Sequence, residues 1–199
     1  WINISFLGVG TASENEVPSI AVLPFENKGA KEDDFYAYGI SSDLISDVTS
    51  TGMIRVAGLN DIEKLDYSSM SYKDLSDKLL VRYVAKGTLW KMDTMFQLSM
   101  ELFDTKNSEV VWSNRWQTAW RDLATIKDDL SNNILENLNI IINKNVEQVN
   151  MASNPEAYEY YLKGQYKFEK RVTLEDLMVA RGFYQKAVEL YSTLITAMI

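Results

Sequence analysis

Residues 96–102 read Phe-Gln-Leu-Ser-Met-Glu-Leu: Phe96, Leu98, Met100 and Leu102 alternate with Gln97, Ser99 and Glu101. A helix would scatter these apolar side chains around its circumference, whereas a strand puts all of them on one face. The stretch therefore demands a sheet with one buried and one wetter face. Its neighbours extend that sheet. Arg82 to Trp90 leads in through a turn at Lys91–Thr94, and a turn at Asp104–Ser108 leads out into VVWSNRWQTA. In that last strand Val110, Trp112 and Trp116 are expected to share a face with Asn114.

Something must cover the apolar face, and the rest of the chain supplies helices. Ile20-Ala21-Val22-Leu23 is a continuous apolar run ending at Pro24-Phe25, the pattern of a strand buried on both faces. The loop Glu26–Asp34 ends in Asp33-Asp34, natural caps for a following helix. That helix carries Ala37, Ile40, Leu44 and Val48 on one stripe and stops at Thr51-Gly52. Met53–Ala57 reads as a second short strand. Ser71–Asp74 resembles a capping box opening a helix with Leu75 and Leu79 on one side. A long helix follows the three strands, with Leu123, Ile126, Leu130, Ile134, Leu138 and Ile141 in register. The order β-α-β-α-β-β-β-α predicts an α/β domain, a mixed sheet with helices laid on it, over residues 17–148. Val146–Ser153 is a polar linker. After it, Pro155 stands at a first helical position, and Ala157, Tyr161, Gly164 and Phe168 form one helix face. Past a break at Arg171–Thr173, a second helix carries Leu177, Ala180, Tyr184, Ala187, Tyr191, Leu194 and Met198. Residues 153–199 thus form a separate helical pair.

The chemistry open to this chain is narrow. Its 199 residues are 46% hydrophobic and contain neither histidine nor cysteine. Ser-His-Asp and Cys-His nucleophiles and the usual zinc sites are excluded. The net charge of −8, with no run of Lys and Arg, disfavours a nucleic-acid partner. Gly8-Val9-Gly10 hints at a dinucleotide loop, but Ser13 stands where a third glycine belongs. The loop Glu26–Asp34 lacks a phosphate-binding signature, and Glu32, Asp33 and Asp34 would repel phosphate. Helix capping explains those acids more simply than a divalent cation. Asp43 and Asp47, one turn apart, could serve acid–base work, but a solvated helix face is expected. No catalytic residue, cofactor or metal is assigned. Trp1–Val9 is apolar but far short of the roughly 20 residues of a membrane span. It reads as a short lead-in or as the end of a span upstream of Trp1.

Interaction residues are better marked. Trp112 and Trp116 fit core packing, while Trp116 and Trp120 could instead form an exposed aromatic anchor. Tyr184, Tyr191, Leu194 and Met198 continue one helical stripe, as in a packing seam for protein partners or self-association. PSIAVLPFEN at Pro18–Asn27, FYAYGISSDLISDV at Phe35–Val48, VRYVAKGTL at Val81–Leu89, LFDTKNSEVVWSNRW at Leu102–Trp116 and DLATIKDDLSNNIL at Asp122–Leu135 resemble the TolB N-terminal-like module of bacterial signalling proteins. Gly164, Ala180, Tyr184 and Ala187 resemble a tetratricopeptide repeat (TPR), an atypical one because the spacing from Gly164 to Ala180 is long. The resemblance implies an α/β fold. It also implies a non-catalytic interaction or signal-coupling role in a larger protein whose output domain is an adenylate or guanylate cyclase, a kinase or a DNA-binding domain. The alternative reading is a small-ligand sensor with a pocket between sheet and helices.

Overall fold

A computed structural model describes residues 17–140 and 154–191. Its organising element is β1 (Ser19–Val22), whose Ile20, Ala21 and Val22 are fully buried. That follows from its place inside the sheet. It pairs in parallel with β3 (Arg55–Val56) on one side and with β4 (Tyr83–Met92) on the other. Pro24 has no amide hydrogen to donate. The chain pauses there and resumes as β2 (Glu26–Asn27), pairing further along β4. From β4 the sheet continues as an antiparallel meander through β5 (Met95–Asp104) and β6 (Glu109–Ala119), in the order β3-β1-β4-β5-β6.

The alternation in β5 behaves as the sequence requires: Phe96, Leu98, Met100 and Leu102 are all buried. β6 departs from the expected alternation at one end. Leu102 stands opposite Trp112, but Phe103 stands opposite Val110, so Val111 is an extra residue in a β-bulge. The inserted residue reverses the alternation. Val110 therefore leaves the face of Trp112 and Trp116 and is 50% exposed.

Helices cover both sides of the sheet unequally. α1 (Asp34–Ser50) and α4 (Leu123–Asn137) lie on the face bearing Ile20, Val22, Ala85, Leu89 and the apolar row of β5. α2 (Leu59–Glu63) and α3 (Tyr72–Leu79) cover Ala21, Leu23 and Val84 on the other face. Ser71 caps α3 by accepting from the Asp74 amide, as its sequence predicts. Asp33 and Asp34 do not cap α1. A 3-10 turn at Lys31–Asp33 precedes the helix and supplies backbone partners instead. Asp33 pairs with Lys91 at 2.9 Å, and Asp34 accepts from Asn27 at 2.8 Å, so the acids tie the loop to its surroundings.

α5 (Pro155–Glu169) and α6 (Leu174–Leu190) form an antiparallel hairpin. Asn154 caps α5 and Thr173 caps α6, the latter with Asp176 in a reciprocal capping box. α5 lies on the outer side of α1, and its Tyr158 and Leu162 join the main core. α1 is consequently a middle layer, buried toward the sheet through Ala37, Leu44 and Val48 and toward α5 through Gly39 and Asp43. Ile141 and the expected linker Val146–Ser153 lie outside the described residues. Among the described residues no helix is long and apolar enough to cross a membrane.

Candidate functional site: the junction between sheet domain and hairpin

Tyr36, Asp43 and Asp47 lie seven and four residues apart, so α1 carries a second, polar stripe beside its apolar one. On α5, Tyr158, Tyr161 and Gln165 form a matching row of hydrogen-bond donors. The two rows meet. Asp43 accepts from the Tyr158 hydroxyl at 2.9 Å, the Tyr161 hydroxyl at 3.1 Å and the Gln165 side-chain amide at 3.3 Å. Gly39 allows the approach: a β-carbon there would lie 2.5 Å from Leu162.

This overturns the expected solvated face. Asp43 is only 5% exposed, because α5 covers it. Burial pushes its carboxyl up from 3.8 to about 6, and the Asp47 charge adds to the rise. The Tyr158 and Tyr161 hydroxyls and the Lys127 charge oppose it. Asp47, one turn on, pairs with Lys127 of α4 at 3.1 Å. Burial alone would depress the Lys127 ammonium, but the carboxylates of Asp47, Asp128 and Asp43 outweigh it and hold it above its ordinary value. The polar junction thus links α5, α1 and α4.

A second node lies toward the start of α1. Glu159 accepts from the Tyr36 hydroxyl at 2.6 Å and the Trp120 indole at 2.9 Å, and pairs with Lys163 at 2.6 Å. Burial alone would raise its carboxyl, but these donors hold it below the usual range. The Tyr36 hydroxyl is driven far up, first by burial and then by its bond to Glu159. Neither node resembles a reaction centre. Both carboxylates have their donors supplied by the chain itself, and Asp43 has almost no contact with solvent. Among the described residues no cluster of three or more acidic side chains could hold a metal ion.

The interaction candidates fall in three places. Trp120 is half-buried and committed to Glu159 within the chain. Trp116 is half-buried against the main core, its ring 5.7 Å from that of Trp112. Tyr184 packs inside the hairpin beside Tyr161, where a β-carbon on Gly164 would come within 2.8 Å of its ring. Tyr191 lies against the small Ala157–Ala187 cluster. Leu194 and Met198 lie outside the described residues. The structure thus brings Trp120 to the junction, keeps Tyr184 and Tyr191 within the hairpin, and leaves Trp116 on the sheet. The apolar surface of the hairpin lies elsewhere, at Val172, Leu174 and Met178, which are 91%, 67% and 63% exposed. Sequence reasoning missed Asp43, Glu159, Tyr158, Tyr161 and Gln165 as a group. The available signal was the pair of polar stripes on α1 and α5.

A Rhizobium meliloti (strain 1021) protein named "Putative adenylate cyclase 3" is 25% identical over 150 residues, 73% of this chain and 26% of that protein. The chain thus spans about a quarter of that relative's length. TolB from Acinetobacter baumannii is similar in structure over 62% of this chain and 29% of its own, at 14% identity and a TM-score of 0.47. Lipoprotein GNA1162 from Neisseria meningitidis is similar over 60% of this chain and 99% of its own, at 14% identity and a TM-score of 0.46. Residues 15–137, more than half of the sequence and all of the sheet domain up to the end of α4, match the model of one family. On that match the chain belongs to the family described as the second domain of HilA/YgeH-like transcriptional regulators.

Proposed function

We propose that this chain is a non-catalytic module that couples protein interaction to the output domain of a larger regulatory protein. The carrying observation is the junction. Asp43 and Glu159 tie the hairpin to α1, and α1 is packed directly on β1. A partner that moves the hairpin must strain this network, in which Asp43 and Tyr158 are buried away from water. The exposed ridge of Val172, Leu174 and Met178 offers such a partner an apolar surface. The two sequence matches support an accessory role: one is a domain of transcriptional regulators, the other a protein named as a cyclase. A module shared by different outputs is better explained as an input or assembly device than as the catalyst. Within this proposal the hairpin is an atypical TPR-like unit, the sheet domain spans 17–148, and the output is a cyclase or a DNA-binding domain.

Coupling is tested by hydrogen exchange. Gln165→Ala together with Tyr161→Phe removes two of the three donors to Asp43 without touching the sheet. Amides of α1 should then lose protection along with those of α5, while β5 stays protected. If α5 loosens and α1 does not respond, the hairpin is an appendage and the coupling role is wrong. A second reading, a small-ligand sensor, is favoured by a cleft on the opposite face of the sheet.

A further inference from the structure

β1 lies between two parallel neighbours, and the connections leaving β1 and β3 pass over opposite faces. The chain leaves β1 through α1 on one face and leaves β3 through α2 and α3 on the other. The carboxyl ends of parallel strands are where α/β sheets commonly bind ligands. A cleft of about 390 Å³, within the range of small-molecule sites, lies at the carboxyl end of β1 on the side of β4. Pro24 and the β1 exit form one wall. Tyr67 and Met70, from the segment between α2 and α3, and Tyr72, which opens α3, form the other, and the exposed Lys86 of β4 also lines the cleft.

The charges in this cleft are unevenly matched. Glu26 pairs with Lys28, and Glu101, opposite Lys86 across the β4–β5 ladder, accepts from the Tyr72 hydroxyl at 2.5 Å. Lys86 has neither an ion pair nor a hydrogen bond among the described residues. The site therefore presents aromatic and apolar side chains with one lysine whose ammonium is bound to no carboxylate. Two carboxylates nearby and the net charge of −8 repel a polyphosphate several times more strongly than a singly charged ligand. The geometry points to a binding site for a small aromatic carboxylate, its ring held between Pro24 and the Tyr67, Met70 and Tyr72 wall and its carboxylate on Lys86. The site is separated from the junction by the sheet itself, so it stands or falls independently of the coupling role.

The test is a titration followed by amide chemical shifts, using 1-naphthoate, the uncharged 1-naphthalenemethanol and ATP. Naphthoate should give saturable shifts confined to Leu23–Glu26, Tyr67–Tyr72 and the neighbourhood of Lys86. The alcohol should bind roughly tenfold more weakly, and ATP should give no saturable shifts there. Lys86 is exposed, so Lys86→Gln should leave the melting temperature unchanged. It should weaken naphthoate by roughly tenfold and the alcohol by less than about twofold. Three results would each overturn the proposal: no saturable shifts at the cleft, equal binding of acid and alcohol, or unchanged naphthoate affinity in Lys86→Gln.

Discussion

At neutral pH the Asp43 carboxyl, with its pKa raised to about 6, is mostly ionised inside a contact that excludes water. Its three donors make that tolerable, but they do not cancel the burial. The raised value has a definite consequence for stability. The folded state holds the proton more tightly than the unfolded chain, so the stabilising contribution is complete below about pH 4 and is lost as pH rises through about 6. From 3.8 to about 6 the loss amounts to about 3 kcal/mol. Asparagine cannot ionise and keeps an acceptor for the tyrosine hydroxyls. Chemical denaturation across this window should therefore show wild type losing about 3 kcal/mol relative to Asp43→Asn. Parallel curves for the two proteins would mean that Asp43 does not titrate in the folded junction.

Between elements, the contacts that the sequence displays and those that it hides differ in reach. The cap Ser71 is legible because it bonds an amide three residues away. The alternation of β5 is legible because one face of one strand carries the whole signal. Asp43 is not, because its partners Tyr158 and Gln165 lie 115 and 122 positions along the chain. An aspartate on a helix reads as solvated until a second helix is known to cover it. The bulge at Val111 was hidden too, since no local residue pattern marks the extra residue. Gly39 is the steric counterpart of Asp43. It sits mid-helix, where glycine costs roughly 1 kcal/mol relative to alanine, and its missing side chain is the space into which Leu162 fits. Gly39→Leu should push α5 away from α1. Hydrogen exchange should then rise throughout α5 and α6 while β5 amides keep their protection. Unchanged protection of α5 would show that Leu162 can move aside and that the hairpin is not held by this contact.

For the whole molecule, the α/β architecture was legible because strand and helix periods alternate along the chain and each apolar stripe needs a partner. The missed short pieces, β2 and α2, have two and five residues, too few to display a period. The fold depends most on its interior strand. Val22→Asp would bury an unpaired charge between β1 and the helices, a loss of several kcal/mol against the 5–15 kcal/mol that typically holds a domain together. The sheet domain should lose its cooperative thermal transition. A wild-type melting temperature in this variant would remove β1 from the interior. The sheet ends, among the described residues, at β6, an outer strand of 11 residues. Such a strand is a template on which other chains can assemble fibre-like stacks. The extra residue at Val111 breaks its even ladder, so a flat strand arriving from another molecule can match only part of its length. The irregularity that spoiled the sequence reading of this strand is therefore a safeguard against aggregation, acting at the scale of the solution rather than the fold.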